Sequence, residues 1–321
     1  MRIFVYGSIV YDRIMDFPDS FKKYILPNEI HKLNVSFMIN DLKESFGGTG
    51  GNIAYNLTLL GFKPLLYGSV GKDFERYEKH FKNIDLKGVK QYLKDYTASA
   101  YIITDKDNNQ ITGFHPGAMR YHTYVPKLKK SDLVIISPAN PNEMLDLAEK
   151  CFKEHVPFIF DPGQQIIQFT STQLKRVIKQ ATIYIVNDYE LALTCKLTNY
   201  NQDIILQKAG ILITTFGQKG SVFKVRNGNK YTIFNISSVK VNKVVDPTGA
   251  GDAFRAGLIK GILENKKDFF KKEFTKMDWL KIGQLASLTA TYSLENEGTQ
   301  NHKYTINQLK NRYYTNYKIK L

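Results

Sequence analysis

Val244-Val245-Asp246-Pro247-Thr248-Gly249-Ala250-Gly251-Asp252-Ala253-Phe254 is the stretch from which this 321-residue sequence is best read. It joins an apolar end, a glycine-rich turn and a helix start. Small residues at Gly249, Ala250 and Gly251 let backbone N–H groups converge at the helix N-terminus. There, together with the helix dipole, they hold an anion without Lys or Arg. Asp252, in the first turn, stands beside the same anion; Asp is also a preferred residue at helix starts, so a purely local role stays open. A glycine-rich turn alone is weak evidence. Two Asp residues bracketing Pro-Thr-Gly-Ala-Gly are far less expected by chance.

Working outward, Ile3-Phe4-Val5-Tyr6 reads as a central parallel strand whose carboxyl end, at Gly7-Ser8, opens onto a site, with Asp12 just past that end. From Phe17 to Phe46 the pattern turns polar, with Leu33 to Met38 readable as one alternating strand. Gly47-Gly48-Thr49-Gly50-Gly51 leads into a helix from Asn52 to Leu60, stopped by Gly61. Leu65 to Val70 reads as a strand and Phe74 to Ile84 as a helix. Ala98 to Thr104 and Gln110 to His115 form a hairpin around Asp105 to Asn109, whose Asp and Asn residues tolerate turn conformations. Lacking a helical crossover, these two strands are expected to join the Leu33 strand in a small separate sheet.

After Pro116 strands and helices alternate. Strands are read at Leu133 to Ser137, Phe158 to Asp161, Ile183 to Val186 and Ile211 to Thr215, and helices at Glu143 to Lys153, Gln173 to Ile178 and Asp188 to Cys195. A meander from Ser221 to Ile236 and helices from Asp252 to Leu263 and Trp279 to Leu294 follow. This predicts an α/β fold, a mostly parallel sheet covered by helices on both faces. One domain over residues 1–321 is expected, its small β-sheet lid formed by about 13–46 and 96–115.

Composition narrows the function. A net charge of +15 would suit a polyanion partner. The basic residues, however, are mostly scattered Lys, and the densest cluster, Lys266 to Lys276, is broken by Asp268 and Glu273. No Arg-rich, aromatic-interleaved stretch speaks for nucleic acid. Cys151 and Cys195 do not make a disulfide framework. The apolar N-terminal run is too short to cross a bilayer and lacks a cleavage pattern. A soluble cytoplasmic protein with no membrane partner is the expectation.

On the Asp-Pro-Thr-Gly-Ala-Gly-Asp run, the sequence resembles the ribokinase (PfkB) family of carbohydrate and nucleoside kinases. Further motifs lie in the family's order: Asp12; Gly47 and Gly48 followed by Asn52; Asn187-x-x-Glu190; and Thr215-x-Gly217-x-x-Gly220. The resemblance implies a ribokinase-like three-layer α/β/α domain and ATP-dependent phosphoryl transfer, in which the protein mainly positions reactants and stabilises charge. It implies Asp252 as base, with Gly249, Ala250 and Gly251 as an anion hole. Asp12, Gly47, Gly48 and Asn52 would hold the acceptor, and Thr215, Gly217 and Gly220 the nucleotide. Asn187 and Glu190 would organise magnesium, partly through water, and they equally form a helix cap. Asp246 and Thr248, with the loop from Ser293 to Gly298, would bind a monovalent cation such as potassium, or form a purely structural loop.

The segments Thr104 to Thr112 and Asp161-Pro162-Gly163-Gln164, with Arg255, resemble the nucleoside kinase (adenosine kinase-like) branch more than the sugar kinases. A nucleoside needs a grip for its diol, which the acceptor-only carboxylate of Asp12 supplies, and a platform for its base. Gln110, Phe114 and His115 on the lid, and Gln164, are the candidates, with ordinary lid packing as the alternative for Phe114 and His115. A sugar kinase on the same scaffold is the alternative function. A dinucleotide-dependent oxidoreductase fits poorly, because Gly47 to Gly51 does not follow the first strand. The lid could also pair with a second copy of the chain.

Overall fold

Residues 1–107, 109–123, 126–228, 230–264 and 274–321 are described in the computed structural model. Asn108 of the hairpin turn and most of the basic cluster lie outside them.

The chain opens with β1 (Ile3–Tyr6), β2 (Val10–Phe17), β3 (Asp41–Gly47), α1 (Thr49–Leu59), β4 (Leu65–Gly71), α2 (Glu75–His80), β5 (Asp85–Tyr92), β6 (Ala98–Asp105) and β7 (Gln110–His115). It continues through β8 (Leu133–Ile136), α3 (Pro141–Lys153), β9 (Phe158–Phe160), α4 (Ser171–Gln180), β10 (Ile183–Asn187), α5 (Asp188–Thr198), α6 (Gln202–Lys208), β11 (Ile211–Thr215), β12 (Ser221–Asn227) and β13 (Lys230–Ile236). Three helices complete it: α7 (Ala250–Glu264), α8 (Lys276–Leu294) and α9 (Ile306–Tyr317).

The apolar runs without alternation become the central strands of the main sheet, which is ordered β13-β12-β11-β10-β9-β8-β1-β4-β5. The strands from β11 to β5 run parallel, and β12 and β13 are antiparallel additions at one edge. Side-chain alternation divides the core in two. Ile3, Val5, Ile183 and Ile185 pack with Ile53, Leu57, Leu258 and Leu285 of α1, α7 and α8. Phe4, Tyr6, Tyr184 and Val186 pack on the other face with Met144, Leu174, Leu191 and Ile205 of α3 to α6. Both faces are therefore dry, as a parallel sheet requires. The order reverses at β1, which has β4 on one side and β8 on the other; a crevice beyond the carboxyl ends is expected there. Among the described residues no helix is long and apolar enough to cross a membrane.

A second sheet, ordered β3-β2-β6-β7, is the small lid sheet. Its composition corrects the sequence reading in two places. Leu33 to Met38 forms no strand, because Phe37 turns into an aromatic cluster with Phe17, Phe21 and Tyr24. The ladder resumes only where Asn40 N–H donates to Asp16 C=O (2.9 Å), so the strand is β3, paired antiparallel with β2. Asp12 lies past the end of β1, as read, but inside β2, a strand the sequence reading did not anticipate. In the main sheet, β5 was not anticipated, and the helix expected over Phe74 to Ile84 is the single short helix α2. It ends as Phe81 takes an extended conformation, its ring 4.5 Å from that of Tyr77.

Candidate active site

The glycine-rich turn and α7 place Asp252 in the first helical turn, buried, with Gly249 at φ +77 just before it. A side chain at Gly249 would be strained by that φ, and its Cβ would lie 2.9 Å from Thr299 Cβ. At the start of α7, Ala250 N–H reaches Pro247 C=O (3.4 Å) and Ala253 N–H donates to Gly249 C=O (2.9 Å), while the N–H groups of Gly251 and Asp252 have no carbonyl four residues back inside the helix and suit an anion. Asp246 shapes the approach: its two carboxylate oxygens accept from the N–H groups of Thr248 (2.8 Å) and Gly298 (2.9 Å). Ser293 Oγ in turn donates to Thr248 C=O (3.2 Å). The loop after α8 is thus fastened to the turn by the protein's own hydrogen bonds.

Asn52, four residues beyond Gly48, reaches the same point from α1 and donates from Nδ2 to Asp252 Oδ2 (2.7 Å). Burial pushes Asp252 up to about 7, and Arg255 and the Asn52 hydrogen bond work against that rise. Arg255 is itself buried, meeting both oxygens of Asp161 and donating to Gly251 C=O (2.9 Å). Burial disfavours its charge, but the Asp161 carboxylate outweighs this and raises its pKa.

Asp12 faces the turn from the lid. Burial, with Asp246 adding to it, raises its carboxyl to about 6. Gly47 is the reason the carboxylate fits, since a Cβ there would stand 2.0 Å from Asp12 Oδ2. Gly48, at φ +87, starts α1, and Thr49 N–H donates to Ser8 Oγ (3.1 Å) at the end of β1.

Register defines the lid's inner face. Asp12 pairs with Ser45 on β3 and with Ala100 on β6, and Ala100 pairs with Phe114 on β7. Residues in one such row point to one face, so Asp12 and the half-exposed Phe114 share it, about 10 Å apart across two strand spacings. Ile14, Ile102 and Thr112 form the adjoining same-face row. His115 pairs with Ser99 and points to the opposite face, so the site does not receive it; the period of two in the strand decides this. Gln110 shares the Asp12 face but pairs with Thr104, about 13 Å further out along the strand. Gln164 is exposed in the turn after Asp161.

The remaining residues cluster at the carboxyl ends of β10 and β11. Asn187 and Thr215 are register partners there. Asn187 and Glu190 cap α5 reciprocally, with Asn187 Oδ1 accepting from Glu190 N–H (2.8 Å) and Glu190 Oε2 from Asn187 N–H (2.9 Å). Glu190 is buried; burial raises its carboxyl pKa, as does the charge of Asp161. Its second oxygen stays outside the cap, a donor set suited to a hard cation that keeps water ligands. Gly217 (φ +56) and Gly220 (φ +89) form the turn after Thr215.

Sequence reading missed Tyr77, Gln300 and the Asp161–Arg255 pairing. Gln300 Nε2 donates to Asn52 Oδ1 (2.8 Å) and to Tyr77 Oη (2.6 Å), and Thr299 Oγ1 stands 2.8 Å from Asn52 Oδ1. Tyr77 Oη donates to Gly47 C=O (2.5 Å). The one signal available was polarity: a run of Thr299-Gln300 beside the oxygen-rich loop.

Comparison with known proteins gives this geometry a context. The model of the pfkB family of carbohydrate kinases matches residues 2–306. The nucleoside kinase of Methanocaldococcus jannaschii is 32% identical over 272 residues, 83% of this chain and 85% of the relative. The structure of Burkholderia thailandensis nucleoside kinase in complex with inosine superposes with TM-score 0.83 at 36% identity, covering 99% of both chains. The same enzyme in complex with ADP-inosine gives TM-score 0.81 at 37% identity, over 99% of this chain and 97% of that one.

Proposed function

This chain belongs to the pfkB family of carbohydrate kinases and is a phosphotransferase acting on a hydroxyl group; on that premise we propose that it phosphorylates the 5′-hydroxyl of a purine nucleoside, of which adenosine and inosine are the first choices. The observation that carries the choice of a nucleoside is the inner face of the lid. Asp12 shares a row with Phe114, and Ile14 and Ile102 lie alongside. A carboxylate grips a ribose diol, and an apolar surface about 10 Å away covers a flat base. A free sugar has nothing to lay there. The B. thailandensis relative solved with inosine supports the same reading.

In this reading ATP lies over the turn of Thr215, Gly217 and Gly220, with its phosphates directed to the N-terminus of α7. Asp252 takes the proton of the attacking hydroxyl, and the N–H groups of Gly249, Ala250 and Gly251 hold charge on the transferring phosphoryl group. Asn187 and Glu190 would hold magnesium through water; when bound, it neutralises phosphate charge. Asp246 and Thr248 set the turn's shape, leaving their remaining lone pairs for a monovalent cation. Gln110 and Gln164 are proposed at the rim of the acceptor site.

A coupled ADP-release assay over purine and pyrimidine nucleosides, ribose, fructose and fructose 6-phosphate tests this. Purine nucleosides are expected to give the highest kcat/KM. Turnover of a sugar with no nucleoside activity would overturn the acceptor.

A further inference from the structure

The hydrogen bonds that run from Gly47 through Tyr77, Gln300 and Asn52 to Asp252 have directions, and one backbone group sets them. The Gly47 carbonyl can only accept, so Tyr77 Oη must donate to it and can only accept from Gln300 Nε2. The Gln300 amide is thereby oriented: its other N–H goes to Asn52 Oδ1, and its Oε1 faces His80 Nε2 at 3.1 Å. Asn52, accepting at Oδ1, must present Nδ2 to Asp252 Oδ2. The chain has an acceptor at both ends, and its donors and acceptors match from Gly47 to Asp252; Thr299 Oγ1 joins it at Asn52 Oδ1, sharing one proton between that oxygen and Phe46 C=O, each at 2.8 Å. All its members from Tyr77 to Asp252 are buried.

We infer that Gln300, held by Tyr77, is a positioning residue that keeps Asp252 Oδ2 engaged by an N–H and so directs proton uptake to Oδ1, the oxygen free to face the acceptor hydroxyl. A proton on Oδ2 would set donor against donor along the whole chain. The charged groups around Asp252 are Arg255 and Asp161 behind it and Asp12 across from it, with His80 at the far end of the Gln300 amide. Burial lowers the His80 pKa, as do Lys303 and Lys82, which favours the neutral ring; Nε2 donates because the Gln300 Oε1 it faces can only accept. The inference rests on the reading of Asp252 as the base.

The test uses Gln300→Met, Gln300→Glu and Tyr77→Phe in the full chain, with whichever acceptor the substrate panel identifies. Without Gln300, Asn52 Oδ1 keeps only Thr299 Oγ1, whose proton Phe46 C=O can take; as Asn52 turns, the carboxylate loses a donor and its protonated form gains. The Gln300 variants are expected to lose about tenfold or more in kcat, with the KM for ATP unchanged within about twofold. The acid limb of kcat/KM should move to higher pH, and an NMR titration of the Asp252 carboxyl should move with it. Tyr77→Phe, which removes one oxygen, should shift both the same way by less, and it keeps the test open if the Gln300 variants do not fold. A wild-type pH profile and kcat in folded variants, with only Tm lowered, would overturn the inference. Asp252→Asn separates the two failures: if it is inactive while Gln300→Met behaves as wild type, only the positioning role falls. If Asp252→Asn turns over normally, the base assignment itself falls.

Discussion

Burial raises the Asp252 carboxyl to about 7, and as the proposed base it is half protonated near neutrality. The activity of the free enzyme should therefore rise with pH through a limb near 7, measured as kcat/KM for the acceptor. Asp252→Asn removes the proposed base and should lower kcat about 10²- to 10⁴-fold while ATP binding by calorimetry persists. Linkage gives a second signature. The folded pKa lies above that of the unfolded chain, so between about 4 and 7 the folded state binds the extra proton and stability falls as pH rises. The Tm of Asp252→Asn relative to wild type should thus be most favourable above pH 7 and shrink towards pH 4. At this scale the sequence was informative, because Asp246, Gly249 and Asp252 lie within one turn and their chemistry is local. Gln300 was not legible: its importance comes from an amide whose direction is set by Tyr77, distant in the chain.

Among the elements, the lid sheet separates what pattern can reveal from what it cannot. The β6–β7 hairpin was readable, since Asp105 and Asn109 mark the turn and Asp105 Oδ1 accepts from Asn109 N–H (2.8 Å). The partner strand β3 was misplaced, because Leu33, Val35 and Phe37 alternate as a strand would while Phe37 is drawn into an aromatic cluster. His115, read either as a site candidate or as ordinary lid packing, lies on the far face, a one-residue matter of register. The close passage of β3 over β2 supplies a sharp test. Gly47→Ala sets a methyl where Asp12 Oδ2 now lies, 2.0 Å from its ideal Cβ position. Acceptor binding should fall by about tenfold or more, the scale of losing a hydrogen bond to a charged group, with ATP affinity retained. Unchanged acceptor binding would show that Asp12 does not grip it.

For the molecule as a whole, the alternation of strand residues between two dry faces is the main source of stability. Ile185 in β10 is fully buried in the layer that holds α7. Ile185→Ala should cost about 2–5 kcal/mol, read as a lower urea midpoint at unchanged m-value. The three-layer arrangement was legible because βαβ periodicity survives in any apolar run; the edge strand β5 was not, since Asp85-Leu86-Lys87-Gly88 carries no such run.

The bond from Asn52 to Asp252 spans 200 positions, and that from Gln300 to Asn52 spans 248. Chains are made from the N-terminus onward, and contacts this distant in sequence form late. On a ribosome-bound chain that has displayed its lid and its first helix, Asn52 still lacks its Gln300 partner until residue 300 emerges. A product truncated before Thr299 would retain α7 and its turn but not the partner that aims Asn52.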